Sequence, residues 1–163
     1  MGGTPTLSDA EAEVLEAMLA RLIPSDENGP GAKEARVARF VERALAREPR
    51  PLRNDYLRNL ASLDRWARAE HGQRFSQLAA EHQDTVLSEL ERGTATGFSP
   101  SADVFFELVR LQAIQGMFAD PSHGGNAGYA GWDLLGFPGI KVVFTAADQR
   151  LDAVVEPVRP DGG

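Results

Sequence analysis

Hydrophobic positions recur at helical spacing through the first two thirds of the chain. The first such segment follows a Ser-x-x-Glu capping box made by Ser8 and Glu11, which is a signature of a helix N-terminus. Pro24 ends this helix, and the breakers and polar residues over 24–31 predict a loop. The apolar positions of the helix fall on one face: Val14, Leu15, Met18, Leu19, Leu22 and Ile23.

The next three helices are predicted from the same periodicity. One runs from about Ala32 to Arg47. Another is ended by Gly72 as a left-handed cap, and a fourth stops at Gly93. The buried face of the first of these is expected to consist of Val37, Phe40, Val41, Ala44 and Leu45. The apolar positions that mark the other two are Leu52, Tyr56, Leu57, Leu60, Leu63 and Trp66, then Val86, Leu87 and Leu90.

A fifth helix begins after Ser99 or Ser101, either of which is a suitable N-cap. It is apolar over much of its circumference, so we expect it at the centre of the bundle. Its apolar residues are Phe105, Phe106, Leu108, Val109, Leu111 and Ile114.

The pattern changes at Gly116, because seven of the 16 glycines fall between Gly116 and Gly139. Apolar residues are interspersed in this stretch, which predicts an ordered loop with one short helical turn. Long ordered loops in compact domains are usually functional. The apolar residues expected to anchor it are Met117, Phe118, Trp132, Leu134, Leu135 and Phe137.

The predicted fold class is all-α: a single-domain bundle of about five helices, a long glycine-rich loop over 116–139 and a short C-terminal segment. Within that segment we expect an extended stretch over 140–144 and a helical turn from Thr145, capped by Asp148, to about Val154. The predicted domain covers 7–155. Residues 1–6 and 156–163 are expected to be flexible.

Composition excludes several classes of function. The net charge of −7 opposes general nucleic-acid binding, which needs a cationic face. Cysteine is absent from the sequence, so disulfides and thiolate chemistry are excluded. The apolar runs are far shorter than the roughly 20 residues needed to span a bilayer.

Cofactor and metal motifs are missing as well. The glycines of the 116–139 stretch lack the Gly-x-Gly-x-x-Gly spacing between a strand and a helix that dinucleotide binding requires. The three histidines, His71, His82 and His123, have no metal-ligand spacing. We therefore predict that this chain binds neither flavin nor nicotinamide by itself and holds no metal.

Two groups of side chains remain as candidates for function. Asp120, His123 and Asn126 lie together in the glycine-rich stretch, where His123 is expected to brace the loop by a hydrogen bond rather than to act in catalysis. The second group is an arginine stripe at helical spacing, which is typical of a solvated helix face and alternatively docks an acidic partner. The stripe consists of Arg36, Arg39, Arg43 and Arg47.

Three ordered stretches resemble the gluconate 2-dehydrogenase subunit 3 family. They are Leu22-Ile-Pro-Ser-Asp-Glu-Asn-Gly-Pro-Gly-Ala32, Gly116-Met-Phe-Ala-Asp-Pro-Ser-His-Gly-Gly-Asn126 and Gly131-Trp-Asp-Leu-Leu-Gly-Phe-Pro-Gly139. With the helices between them they span roughly residues 7–139.

The resemblance implies a non-catalytic small subunit of a heteromeric complex. In that family a large subunit of the glucose–methanol–choline type binds FAD and oxidises a sugar or sugar acid, and a cytochrome c subunit often accepts the electrons. The small subunit supports folding, stability and, in many members, export through a twin-arginine signal. This sequence shows no such signal, so we expect a periplasmic location if the signal was trimmed or lies on the partner, and a cytoplasmic one otherwise.

The glycine-rich stretch and the arginine stripe are the predicted partner-binding regions. Glycines let backbone approach a partner closely, and aromatic side chains supply anchors or else pin the loop to its own bundle. The predicted partner-binding residues are Asp120, Pro121, His123, Gly124, Gly125, Asn126, Tyr129, Trp132, Phe137, Arg39 and Arg43. Two alternatives remain: a stand-alone enzyme with a site over 120–126, and a helical adaptor unrelated to redox chemistry.

Overall fold

The computed structural model describes residues 6–139, 145–146, 148–153 and 159. This part of the chain contains no strand, which confirms the all-α class. Its helices are α1 (Asp9–Leu22), α2 (Val37–Arg47), α3 (Arg50–His71), α4 (Ala80–Glu91), α5 (Ala102–Phe118) and α6 (Ala130–Leu135), with short 3₁₀ helices at Phe75–Gln77, Pro121–His123 and Ala127–Tyr129.

Helix α1 begins as the sequence predicts. The Ser8 side chain accepts the amide of Glu11, and the Glu11 carboxylate accepts the Ser8 amide at 2.8 Å, so the capping box is complete. Val14, Leu15 and Met18 are fully buried against the other helices. One face of α1 therefore forms part of the core.

Helix α2 starts five residues later than predicted. Residues 32–36 form turns, and Arg36 adopts a left-handed conformation with φ of 54° directly before the helix. The reason lies in Gly31, whose backbone packs against the carbonyl of Ile23 so closely that a Cβ would overlap it. The amide of Ala32 donates to Ile23 O at 2.9 Å, which holds the chain in this turn instead of a helix.

Helix α3 ends at Gly72 with φ of 74°, as predicted. Its buried Asn59 binds both backbone groups of Ser99, donating to the carbonyl at 2.8 Å and accepting the amide at 2.9 Å. Ser62 donates to Gly97 O at 2.6 Å. These polar contacts fix the connection into α5, whose N-cap position is Ser101, although the Ser101 side chain makes no capping bond.

An ion pair joins α1 to α4. The Arg21 guanidinium donates to both carboxylate oxygens of Asp84 at 2.7 Å. These hydrogen bonds lower the pKa of Asp84. The pair therefore adds stability above the ordinary pKa of an aspartate and loses it as the pH falls through the lowered value.

We expect Asp84→Asn to reduce the free energy of unfolding near neutral pH by under about 1 kcal/mol, because the carboxylate is half-exposed to solvent. In strong acid, where Asp84 is protonated, variant and wild type should unfold at the same urea concentration. Urea titrations at both pH values test this, with the exposed loop variant Glu27→Gln as the control. A difference that persisted undiminished in acid would contradict the assignment.

Helix α5 packs on α1, α2, α4 and α6, but it is not enclosed by them. Phe105, Phe106 and Val109 are buried, whereas four apolar side chains on another side are between 41% and 48% exposed. These four are Val104, Leu108, Leu111 and Ile114, called the α5 apolar face below. The expectation that this helix lies in the middle of the bundle is wrong for that side, because no described element covers it.

The described part of the C-terminal segment contains turns. Thr145 and Asp148 make the predicted capping contact, with the Thr145 amide 2.7 Å from the Asp148 carboxylate. Residues 148–152 form a turn rather than a helix. The predicted extended stretch over 140–144, the end of the predicted turn at Val154, residues 1–5 and nearly all of the predicted tail lie outside the described residues.

Candidate functional site

The motif-bearing stretch over 22–32 meets the two neighbouring stretches over 116–126 and 131–139 at one end of the bundle. The segment after α5 folds back onto the start of α2, where the amide of Ala127 donates to Ala35 O at 3.1 Å. Gly29, in the loop after α1, lies directly against the side chain of Leu134 in α6. We call this end of the bundle, formed by residues 22–36 and 116–139, the motif end.

The glycine-rich stretch is more helical than predicted. Helix α5 continues through Gly116 to Phe118, and the residues after it form two 3₁₀ helices and α6 instead of a loop with a single turn. The predicted beginning of the loop at Gly116 is therefore wrong. A glycine is needed at position 116 of α5 because Val37 and Phe40 of α2 pack against it and leave no room for a side chain.

Close approach explains two further glycines. A Cβ at Gly125 would overlap the carbonyl oxygen of Gly116, and one at Gly131 would overlap that of Met117. Both residues are buried. The sequence led us to expect glycines that admit a partner's backbone, but Gly125 and Gly131 admit the backbone of α5 itself.

Asn126 connects these segments. Its residue is fully buried, with 0% exposure, and has φ of 46°. The backbone amide donates to Gly116 O at 2.8 Å, and the side-chain amide donates to Ala119 O at 2.9 Å. The side-chain oxygen accepts the amide of Gly131 at 2.8 Å. Both ends of the Asn126 side chain are thus engaged in holding α6 on the end of α5.

Asp120 starts the first 3₁₀ helix of this stretch. Its carboxylate accepts the Ser122 amide at 2.9 Å. Hydrogen bonds from Ser122, followed by the nearby His123, lower the pKa of Asp120. His123 is exposed, and its imidazole makes no hydrogen bond with any described residue, so the expected bracing role is not observed. Asp120 acts as a cap here.

The aromatic residues form a cluster on α6. Trp132 is 6% exposed and donates from Nε1 to Phe118 O at 2.9 Å. Its ring lies 5.2 Å from that of Tyr129 and 5.0 Å, edge to face, from that of Phe137. Arg159 stacks on Tyr129 at 5.0 Å and pairs with Asp133. In this conformation Trp132 pins the stretch to its own bundle.

Three of the apolar residues expected to anchor the stretch are exposed instead. Leu134, Leu135 and Phe137 lie at the surface, and Leu135 is 65% exposed. Helix α6 packs on α5 through Gly131 and Trp132, and the other side of this helix faces away from the bundle. The motif end therefore presents apolar side chains outwards.

An open cavity of about 330 Å³ lies between α2 and the glycine-rich stretch. Arg36, Arg39 and Arg43 line one side, and backbone around Gly124 and Gly125 lines the other. Arg43 donates to Ser122 O at 2.9 Å. The structure thus brings Arg39 and Arg43 together with the predicted glycines, and adds Arg36. Asp120, His123 and Asn126 do not line this cavity.

A second, larger groove of about 740 Å³ runs between α1 and α2. Its floor consists mainly of alanines, and its rim carries both signs of charge, with Glu13 and Glu16 on α1 facing Lys33 and Arg39. Arg36 and Arg39 line both depressions and form the ridge between them.

The comparison with protein families decides where this architecture belongs. The family model described as gluconate 2-dehydrogenase subunit 3 matches residues 9–139, which include all six helices and the motif end. The chain belongs to the gluconate 2-dehydrogenase subunit 3 family. The resemblance predicted from the three motif stretches is therefore confirmed. No curated protein and no solved structure matches the chain.

The name of the gluconate 2-dehydrogenase subunit 3 family describes one subunit of a dehydrogenase. Across the described ranges, no helix is both long and apolar enough to cross a bilayer. The same ranges contain no group of three or more histidine or acidic side chains placed to hold a metal ion.

Proposed function

We propose that this chain is a non-catalytic small subunit that binds and stabilises an FAD-dependent dehydrogenase of the glucose–methanol–choline type and helps it to mature. The partner carries the FAD and oxidises a sugar or sugar acid, and a cytochrome c subunit can accept the electrons. We propose a periplasmic location if an export signal was trimmed from this chain or lies on the partner, and a cytoplasmic one otherwise. The family's description as a subunit supports this proposal.

The α5 apolar face is the observation that carries the proposal. Its four side chains recur at helical spacing, so they form one continuous strip along α5. Contiguous exposed apolar surface of this kind marks a protein–protein interface more often than it marks an isolated soluble domain. A subunit that waits for its partner is expected to expose such a surface.

The strip leads towards the motif end. Phe118 is seven positions after Leu111 and therefore lies on the same side of α5. It is half-buried and contacts Gly131 of α6, beyond which Leu134 and Leu135 are exposed. The proposed docking surface thus runs from the α5 apolar face to α6.

Two polar side chains of the 120–126 segment that could take part in catalysis make structural hydrogen bonds instead. Asn126 has no free amide atom, and Asp120 caps its own helix. These contacts favour the subunit over the stand-alone enzyme with a site at 120–126. Purified chain that oxidised sugars or hydrolysed lactones by itself would support the enzyme instead.

The test is co-purification. Tagged wild-type chain, produced in its source cell, is expected to retain a large protein with the visible absorbance of flavin. The double variant Leu108→Glu/Leu111→Glu should lose at least about tenfold of the retained flavin, because each buried leucine contributes about 2 kcal/mol to an interface and a buried unpaired carboxylate opposes it.

The matched control is Ala61→Glu/Ala69→Glu, which places the same two charges on exposed positions of α3. Both double variants should keep the wild-type circular dichroism, since all four positions are exposed. A wild-type chain that retained no flavoprotein would refute the proposed function. If the two double variants retained equal amounts of flavoprotein, the α5 apolar face would not be part of the docking surface.

A further inference from the structure

The cavity between α2 and the glycine-rich stretch concentrates positive charge that no carboxylate of the described residues neutralises. Arg39 and Arg43 are four positions apart on α2 and share one side of the helix, and Arg36, in the turn directly before α2, lines the same cavity. None of the three pairs with a carboxylate of a described residue. The residues lining this cavity include no acidic side chain.

Most arginines elsewhere in the described chain form ion pairs with carboxylates. Ion pairs neutralise Arg21, Arg58, Arg68, Arg74, Arg110, Arg150 and Arg159. The chain has a net charge of −7 and therefore an excess of carboxylates. A lack of acidic residues therefore does not explain why the three arginines that line this cavity have no carboxylate partner among the described residues.

The walls of this cavity are held in place. Arg43 donates from Nη1 to Ser122 O at 2.9 Å, and its aliphatic part lies against Gly124. Gly124 has φ of 106°, and a Cβ there would lie 2.9 Å from Arg43 Cδ. The hydrogen bond from Ala127 to Ala35 O ties the opposite wall to the start of α2. A binding site with fixed walls loses less entropy when a ligand enters.

The left-handed conformation of Arg36 sets the position of its side chain. A residue other than glycine pays of order 1 kcal/mol to adopt positive φ. Arg36 does so at φ of 54°, immediately before α2, where it joins Arg39 on the ridge. The turn that delays the start of α2 therefore also brings a third guanidinium to the cavity.

We propose that this cavity binds the carboxylate side chains of an acidic segment of the partner protein. Guanidinium groups form paired hydrogen bonds with carboxylates, and neutralisation of three charges suits a segment with two or three acidic residues. A volume of about 330 Å³ accommodates one or two side chains and excludes a flavin-sized group. The inference rests on the proposed function, because it assigns chemistry to the partner that the function requires.

The larger groove between α1 and α2 does not share this chemistry. Its rim bears Glu13, Glu16 and Glu42 beside the cations, so an acidic segment there would meet like charges. The net negative charge of the whole chain likewise opposes long polyanions such as nucleic acid. A short acidic segment entering from the side of the arginines avoids both repulsions.

The first experiment uses the isolated chain labelled with ¹⁵N. The probe is a synthetic peptide with three glutamates flanked by glycines, and inorganic phosphate is the comparison for a free anion. The peptide should shift the amide signals of Gly124, Gly125 and Gly128 and the guanidinium signals of Arg36 and Arg39. It should bind at least about tenfold more tightly than phosphate, since several charge-assisted hydrogen bonds act together.

Variants locate the site. Arg39→Glu should weaken peptide binding at least about tenfold through loss of one charge-assisted pair and added repulsion. Arg47→Glu, on the same helix but outside the cavity, should leave binding within about twofold, as expected for a screened, distant charge. The inference is overturned if the two variants bind alike, if phosphate binds as tightly as the peptide, or if the peptide shifts no signal of the cavity.

The second experiment uses the complex. Arg39→Glu should release the flavoprotein at a lower NaCl concentration than either wild type or Arg47→Glu, because paired charges across an interface are weakened by salt. Identical salt profiles for the three proteins would refute the acidic segment while leaving the proposed function intact. A wild-type chain that captures no flavoprotein refutes the proposed function, and the peptide titration still tests the cavity.

Discussion

Replacement of Gly131 with alanine is expected to lower the free energy of unfolding by about 3 kcal/mol or more, the upper part of the range for overpacked sites. A Cβ at this position would overlap the Met117 carbonyl oxygen, which belongs to the α5 backbone and has no rotamer through which to move away. Helix α6 would have to lift off α5, which would break the hydrogen bond from Trp132 to Phe118 O.

Thermal and urea unfolding of Gly131→Ala measure this effect. Gly136→Asn is the matched control in the same stretch, since Gly136 has φ of 63° and open space around it. Asparagine tolerates that conformation, so the control should change stability by under about 1 kcal/mol. A Gly131→Ala protein as stable as the control would show that α6 is not packed on α5 as described.

Asn126→Ala is expected to have the second largest effect. The change removes two side-chain hydrogen bonds, to Ala119 O and from the Gly131 amide, in a residue with no solvent exposure. A buried backbone group left without a partner costs about 1–3 kcal/mol, and alanine also fits positive φ poorly. We expect a loss of about 3 kcal/mol, or roughly 10 °C in melting temperature for a domain of this size.

Two companion variants sharpen the test of Asn126. Asn54→Ala, at an exposed position of α3, should change stability by less than about 0.5 kcal/mol. Asn126→Asp keeps one acceptor but loses the donor to Ala119 O, and it buries a charge, so it should be no more stable than Asn126→Ala. A melting temperature of Asn126→Ala equal to that of wild type would disprove the role assigned to this side chain.

The helices were predictable wherever local signals decide the structure. The Ser8–Glu11 capping box and the left-handed Gly72 act within a few residues of the chain, and the structure has both in place. The start of α2 was not predictable from such signals, since it depends on contact between Gly31 and the carbonyl of Ile23, which the preceding loop brings close. The residues 32–36 taken alone favour a helix.

The candidate site was predictable in composition but not in arrangement. The motif stretches identified the family, and the family model matches across them. Nothing in the spacing of Gly125 and Gly131 reveals that their neighbours are carbonyls of α5 rather than of a partner. The α5 apolar face escaped prediction for a related reason. An apolar pattern shows that a surface prefers to be covered, but not whether the same chain covers it.

The arrangement of the motif end also has a consequence for the order of synthesis. Residues 119–135 complete the cavity beside α2 and the outer surface next to α5, and they leave the ribosome after all five preceding helices. A nascent chain that has emerged only as far as α5 therefore lacks part of the surface that we propose binds the partner, even if its core has begun to form. Premature capture of an unfinished polypeptide is thereby disfavoured, and assembly starts from chains that have been translated past α6.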